Sequence, residues 1–325
     1  MQKKVKLITG ANGEIGQALI KQLDSEDIIT LDIISTNNKI HKHFVGSILD
    51  QAILDQINTK YEIVEIYHLA AILSTKAEKN PELAKEVNIT GTTNLLKICF
   101  KQFSKYGQII PFFFPSSIAV YNTLNDNFNA LVNEKEYCNS PYTVYGQSKL
   151  VCERAGIKKD SLNQGVDFRC IRFPGIISAT SLPTGGTSDY ASEMIHYAAL
   201  NKTYPCFVNC KTTLPFVIMP DAISAIIKLM ETPKKQIKSK TYNITSFSPS
   251  VEQFKNKLIE FFPNFILEYN INNDRQKIVD SWPSKIDDSL SSTEWNWESK
   301  YNFNDSFENY IIPNILKYYS KKEIV

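Results

Sequence analysis

The chain has 325 residues, 43% hydrophobic and 22% charged, the balance of a globular protein able to bury one large core or two coupled ones. Its 36 Lys and Arg against 34 Asp and Glu leave a net charge of +2, with four arginines in all (Arg154, Arg169, Arg172, Arg275), which argues against a nucleic-acid or anionic-membrane partner. Six cysteines without a C-x-x-C pair and four histidines without an H-E-x-x-H argue against a metal site and suit a reducing compartment. No apolar block precedes the first strand, and no stretch approaches the roughly 18 apolar residues of a membrane span, so a cytoplasmic location is expected.

The first predicted strand, Val5–Thr9, runs into Gly10-Ala11-Asn12-Gly13-Glu14-Ile15-Gly16 and then a helix over Ile15–Leu23. Glycines between a strand and a helix permit a tight turn and let backbone N–H groups and the helix N-terminus approach a pyrophosphate, so this stretch is predicted to cradle a dinucleotide. The second strand, Ile28–Asp32, ends 22 residues beyond Gly10 in Asp32. A carboxylate there accepts from the adenine ribose hydroxyls and repels a 2′-phosphate, favouring NAD over NADP. Strands Val64–Leu69, Ile109–Pro115 and Val166–Phe173 then alternate with helices Leu83–Phe103 and Tyr142–Lys158. That alternation predicts a doubly wound α/β fold with a parallel sheet covered on both faces, and Phe112-Phe113-Phe114 reads as its central strand.

A helix predicted to open at Ser140-Pro141, with Ser as its N-cap, carries Tyr145-Gly-Gln-Ser-Lys149. The i, i+4 spacing sets Tyr145 and Lys149 on one face. A phenol titrates near 10 in water; a neighbouring ammonium and a positively charged nicotinamide ring would lower that value and make Tyr145 a base usable near neutrality. The same spacing recurs at Tyr318 and Lys322, where no strand precedes it. Tyr145 is set apart by the upstream Pro115-Ser116-Ser117, the hydroxyl-bearing end of a buried strand, where Ser117 can hydrogen-bond the reacting oxygen. His68, on a buried strand, reads as a satisfied core histidine, and His41 and His43 as surface residues.

After Gly175 the rhythm breaks. Residues 178–187 read as loop, Ser188–Leu200 as helix, Thr212–Pro220 as a strand, and Ala222–Glu231 and Ser250–Phe262 as helices with apolar residues at helical spacing. The expected division is a dinucleotide-binding domain over 1–177, with 212–247 returning to it, and an interleaved smaller lobe over 178–211 and 248–325.

The glycine fingerprint, Ser117 and Tyr145-x-x-x-Lys149, with His68-Leu69-Ala70-Ala71, Val87-Asn88-Ile89-Thr90-Gly91-Thr92-Thr93-Asn94 and Arg172-Phe173-Pro174-Gly175, resemble the extended short-chain dehydrogenases/reductases. The resemblance implies a Rossmann-type fold, a homodimer, and a catalytic set of Ser117, Tyr145 and Lys149. It further implies cofactor contacts from Gly10, Asn12, Gly13, Glu14, Ile15, Gly16, Asp32, Ile33, Ile48, Leu69, Ala70 and Pro174, with Tyr145 and Lys149 also at the nicotinamide ribose. Ser47 stands where many members have an Asp that meets adenine.

The second half discriminates among members. Leu214, seven residues before Asp221, stands where sugar-nucleotide enzymes carry the Arg that grips a diphosphate. Four stretches, Arg172–Ser178, Pro183–Ala191, Thr213–Ala222 and Ser281–Ser289, are instead similar to the short-chain type of L-threonine 3-dehydrogenases. Thr184 replaces a glycine common in that group. The implied reaction is oxidation of the β-hydroxyl of L-threonine to 2-amino-3-oxobutanoate, with Tyr145 as base. Gly186 and Thr187 of the Gly185-Gly186-Thr187 loop, with Ser74, are candidates to bind the carboxylate, and Trp282 to wall the substrate methyl. A nucleotide-sugar epimerase or dehydratase and a non-catalytic NAD-sensing protein of the same fold remain the alternatives.

Overall fold

The computed structural model describes residues 2–23, 27–36, 41–124, 131–183 and 185–321; Thr184 and Lys322 lie outside them. In chain order the first elements are β1 (Lys3–Thr9), α1 (Glu14–Leu23), β2 (Ile28–Asp32), β3 (Lys42–Val45), α2 (Gln51–Lys60) and β4 (Tyr61–His68). They are followed by α3 (Ser74–Lys79), α4 (Pro81–Lys85), a π-helical turn at Glu86–Thr90, α5 (Gly91–Tyr106), β5 (Ile110–Ser117), α6 (Val144–Ser161) and β6 (Val166–Phe173). Next come β7 (Gly175–Ile177), α7 (Tyr190–Ala199), β8 (Tyr204–Cys206), β9 (Phe216–Ile218), α8 (Met219–Glu231), β10 (Thr241–Asn243), α9 (Val251–Phe261) and β11 (Leu267–Tyr269). Helices α10 (Asn273–Asp280), α11 (Ser289–Trp295), α12 (Phe303–Ser306) and α13 (Ile312–Ser320) close the chain.

Seven strands form one sheet in the order β10-β6-β5-β4-β1-β2-β3, and the β1–β2, β2–β3, β1–β4 and β4–β5 pairs are parallel. The order reverses between β1 and β4, the position at which doubly wound sheets open a crevice at their carboxyl ends. The predicted strands are all present. Phe112, Phe113 and Phe114 are buried, as a central strand covered on both faces requires, and Phe168 on β6 stacks on Phe112 and Phe114 at 6.1 and 6.0 Å between centroids. Strand β3 is the strand expected beside His41 and His43, whereas helix α2 was not predicted. Asp50 caps α2 by accepting from the Ala52 and Ile53 N–H groups, a signal the sequence did carry.

Two compact units divide the chain: residues 1–120, 143–172 and 223–242 in one, and 121–142, 173–222 and 243–325 in the other. The expected boundary at 177 and the returning stretch 212–247 are drawn differently. Residues 121–142 group with the second unit because Thr123 N–H donates to the Ser281 carbonyl at 2.9 Å and Glu134 accepts from Asn243 N–H at 2.9 Å. The expected strand Thr212–Pro220 shortens to β9, since Met219 begins α8 and sets Pro220 in its first turn, where a helix needs no N–H. The second unit is built on aromatic packing: Phe254 meets Phe216, Phe303 and Phe307 at 6.4, 6.1 and 5.1 Å between centroids. Among the described residues no helix is long and apolar enough to cross a membrane.

Candidate active site

The turn after β1 is a position only glycine fills. Gly10 has φ +69°, and a Cβ on it would lie 2.5 Å from the Ala70 nitrogen and 2.7 Å from the Leu69 carbonyl carbon. A Cβ on Gly16 would meet the Gly10 oxygen at 2.5 Å, so α1 packs directly on the turn. Gly13 N–H returns to the Gly10 carbonyl at 3.1 Å, and Glu14 and Ile15 open α1. The Asp32 carboxylate, nearly buried at the end of β2, accepts from Asn12 N–H through Oδ2 and from Ile34 N–H through Oδ1, each at 2.9 Å. These bonds aim it beside the glycine turn and leave each oxygen a further lone pair for a ribose hydroxyl. The backbone cradle and this carboxylate fit a dinucleotide.

The remaining cofactor candidates divide by environment. Ile33 is 73% exposed, whereas Ile48 is buried with its Cδ1 where a Gly91 side chain would stand. Leu69 and Ala70 form the wall behind Gly10, and Ser47 turns its hydroxyl to the Leu49 N–H at 3.1 Å. Pro174 is buried in the second unit.

Ser117, the last residue of β5, and Tyr145, in the first turn of α6, share a side-chain hydrogen bond. The helix opens later than expected: Thr143 caps it by accepting from Gly146 N–H at 3.0 Å, while the Ser140 carbonyl is taken by the Asn122 side chain. Glu78 of α3 accepts from Tyr145 N–H at 3.2 Å, a contact across 67 residues that no local pattern announces.

Lys149, 3% exposed, donates from Nζ to the Pro115 carbonyl at 2.7 Å and lies 4.7 Å from the Phe114 ring centroid and 5.6 Å from that of Tyr145. Burial pushes it down to about 8, opposed by the negative potential of Cys152, Cys170 and Glu153. Burial raises the Tyr145 phenol, and the bond from Ser117 only partly opposes the rise. The hydrogen bond of the lysine goes to the Pro115 carbonyl, with its ammonium 5.6 Å from the Tyr145 ring centroid. His68 is the satisfied core histidine expected, bonded at both ring nitrogens to Thr9 and Thr92 and held down to about 3 by burial.

In the first unit, Ser74 opens α3 and is buried. In the second, the Gly185 and Gly186 N–H groups, expected to meet a carboxylate, already donate to Asp189 Oδ2 at 2.9 and 2.6 Å. The Gly186 carbonyl accepts from Arg275 Nη2 at 2.8 Å, and the guanidinium lies over the Phe207 ring. Sequence reasoning found no arginine for this loop; Arg275 is the one of the four lying after residue 172. Thr187 is buried, as is Trp282, whose Nε1 has no partner among the described residues, so the expected apolar wall also offers a donor. Leu214 is fully buried.

A glycine-turn dinucleotide cradle with a Ser-Tyr-Lys set on the same α/β unit defines a nicotinamide-dependent oxidoreductase. The sequence model of the NAD dependent epimerase/dehydratase family matches residues 6–245, and the chain belongs to that family. It is 33% identical over 303 residues, covering 91% of this chain and 78% of the relative, to the mitochondrial L-threonine 3-dehydrogenase of Bos taurus. Among solved structures, a monomeric L-threonine 3-dehydrogenase from a metagenome is similar with TM-score 0.88 and 36% identity over 97% of this chain and all of that one. The L-threonine dehydrogenase of Clostridium difficile follows with TM-score 0.87 and 30% identity over the whole of both chains. The expected homodimer finds no support in these likenesses, since the metagenomic enzyme is described as monomeric.

Proposed function

We propose that the protein oxidises the β-hydroxyl of L-threonine to 2-amino-3-oxobutanoate with NAD as the oxidant. The observation that carries this reading is the Ser117–Tyr145 hydrogen bond at the carboxyl end of β5, in the unit that holds the glycine cradle. The likeness to threonine dehydrogenases over nearly the whole chain supports the choice of substrate, and the buried Leu214 disfavours a nucleotide sugar.

In this reading Ser117 donates to the substrate β-oxygen and Tyr145, as phenolate, takes its proton while the C–H electron pair leaves Cβ. The nicotinamide, when bound, supplies the hydride acceptor and a positive charge that favours the phenolate. Lys149, fixed on the Pro115 carbonyl, adds an ammonium near the Tyr145 ring. Ser74, Thr187 and Trp282 are proposed to bind the amino acid, Trp282 through its unpartnered indole N–H. Asp32 supports NAD over NADP, because a 2′-phosphate would meet a carboxylate. All six cysteines are free thiols, which supports a reducing, cytoplasmic setting.

The test is NADH formation by the purified protein with L-threonine, against D-threonine, L-allo-threonine, L-serine, 3-hydroxybutyrate and a UDP-sugar. NADH from L-threonine above every comparator is expected. NAD binding without turnover on any of them would remove the substrate assignment and leave the family standing.

A further inference from the structure

His68 sits in a hydrogen-bond chain whose directions are fixed by its ends. Thr92 Oγ1 lies 2.5 Å from the Asn88 carbonyl, which can only accept, so the Thr92 hydroxyl spends its proton there. The same oxygen lies 2.9 Å from His68 Nε2 and must accept from it, so Nε2 carries the hydrogen. His68 is also too deeply buried, and too near the Lys149 ammonium, to carry a second proton. Nδ1 is then bare and accepts from Thr9 Oγ1 at 2.8 Å, leaving that oxygen to accept from the Ala70 N–H at 3.4 Å. The opposite tautomer would set bare Nε2 against a hydroxyl with no proton left to give.

Each end of this chain reaches one half of the site. Thr9 precedes Gly10, and Ala70 is the residue whose backbone Gly10 abuts. Asn88, in the π-helical turn, binds Ile72 through both its N–H (2.8 Å) and its carbonyl (3.0 Å). It also donates to Ser148 Oγ at 3.2 Å, and Ser148 donates to the Tyr145 carbonyl at 2.8 Å. A single-turn π-helix often marks a functional segment, and here it turns the Asn88 side chain and carbonyl toward separate partners.

We propose that His68, locked as its Nε2–H tautomer, is a positioning residue that ties the dinucleotide turn, through Thr9, to the segment holding Tyr145, through Thr92 and Asn88. The inference rests on the nicotinamide site and not on the identity of the substrate.

Long-range ¹H–¹⁵N NMR of the histidine rings is expected to show His68 with a protonated Nε2 and a bare Nδ1 at neutral pH, with and without NAD. An Nδ1–H tautomer or a doubly protonated ring would overturn the proposal. The two limbs are separated by isosteric variants. Thr9→Val is expected to weaken NAD binding, measured by calorimetry, about tenfold, the loss of one hydrogen bond at the turn. Thr92→Val is expected to lower kcat at saturating NAD by about the same factor, with NAD affinity within about twofold of the parent. Thr9→Ser and Thr92→Ser, which keep the hydroxyl, are expected to restore both values. A merely structural histidine predicts that both valine variants shift thermal stability alike and that NAD affinity and kcat do not separate; that result would overturn the coupling. If the parent fails to turn over L-threonine, the tautomer and the Thr9→Val affinity still decide the proposal.

Discussion

Lys149 gives its ammonium hydrogen bond to the Pro115 carbonyl at 2.7 Å and not to Tyr145, whose ring centroid lies 5.6 Å away. The first proton to leave this pair is the lysine's, at about 8. Oxidation through a Tyr145 phenolate needs the phenol deprotonated, and burial raises that phenol, so kcat/KM for L-threonine should climb about tenfold per pH unit through the neutral and alkaline range. Initial rates between pH 6 and 10 measure this. Lys149→Met should displace the rise to higher pH, and a flat parent profile would contradict the reading.

The same burial has a stability consequence of opposite character to a salt bridge. Below about 8 both folded and unfolded chains carry the Lys149 proton, and the folded one bears the desolvation. Between about 8 and 10.5 only the unfolded chain keeps it, so rising pH favours the fold across that window. Thermal midpoints of the parent relative to Lys149→Met should therefore increase from pH 8 to 10; a constant difference would refute the assignment.

Tyr145→Phe deletes the proposed proton acceptor while keeping the ring that packs near Lys149. Turnover should fall by about 10³, within the range for a lost general base, with NAD affinity changed less than about twofold. Steady-state kinetics and a calorimetric NAD titration check it together.

Asp32→Asn keeps an oxygen for only one of the Asn12 and Ile34 N–H groups, sets an amide NH2 against the other, and removes the charge from one side of the glycine turn. The KM for NAD should rise about tenfold and that for NADP should fall. Equal efficiency with the two cofactors in the parent would show that Asp32 does not face a ribose.

Arg275 holds the Gly186 carbonyl and Asp189 the Gly185 and Gly186 N–H groups, clamping the loop from both polarities. Arg275→Ala should raise the KM for L-threonine about tenfold while leaving NAD affinity within about twofold, because a charge-assisted bond to the loop is lost. Loss of NAD affinity instead would place its effect outside the substrate loop.

Glu153 and Arg172 form a bidentate pair at 2.9 and 2.7 Å with side chains 2% and 4% exposed. Glu153→Ala strands a buried guanidinium and should cost about 3 kcal/mol, read by denaturant titration.

The strand before Gly10, the buried Phe112-Phe113-Phe114 run and the Tyr145/Lys149 spacing are local patterns: a turn that excludes a Cβ, a strand covered on both faces, two side chains one helical turn apart. Each is dictated by neighbours within a few residues, so the doubly wound fold and the candidate catalytic residues were legible in the amino-acid order alone. The contacts that decide how those groups behave are not local. Glu78 on the Tyr145 N–H, Arg275 on Gly186 and His68 between Thr9 and Thr92 join residues 67, 89, 59 and 24 positions apart. Their partners include backbone N–H and carbonyl groups, which every residue type presents alike in a sequence. Nor can composition tell that the Lys149 donor goes to the Pro115 carbonyl, or that Asp189 fills the glycine N–H groups. Both follow from where β5, α6 and the loop before α7 place backbone atoms in three dimensions, and only the tertiary structure decided them.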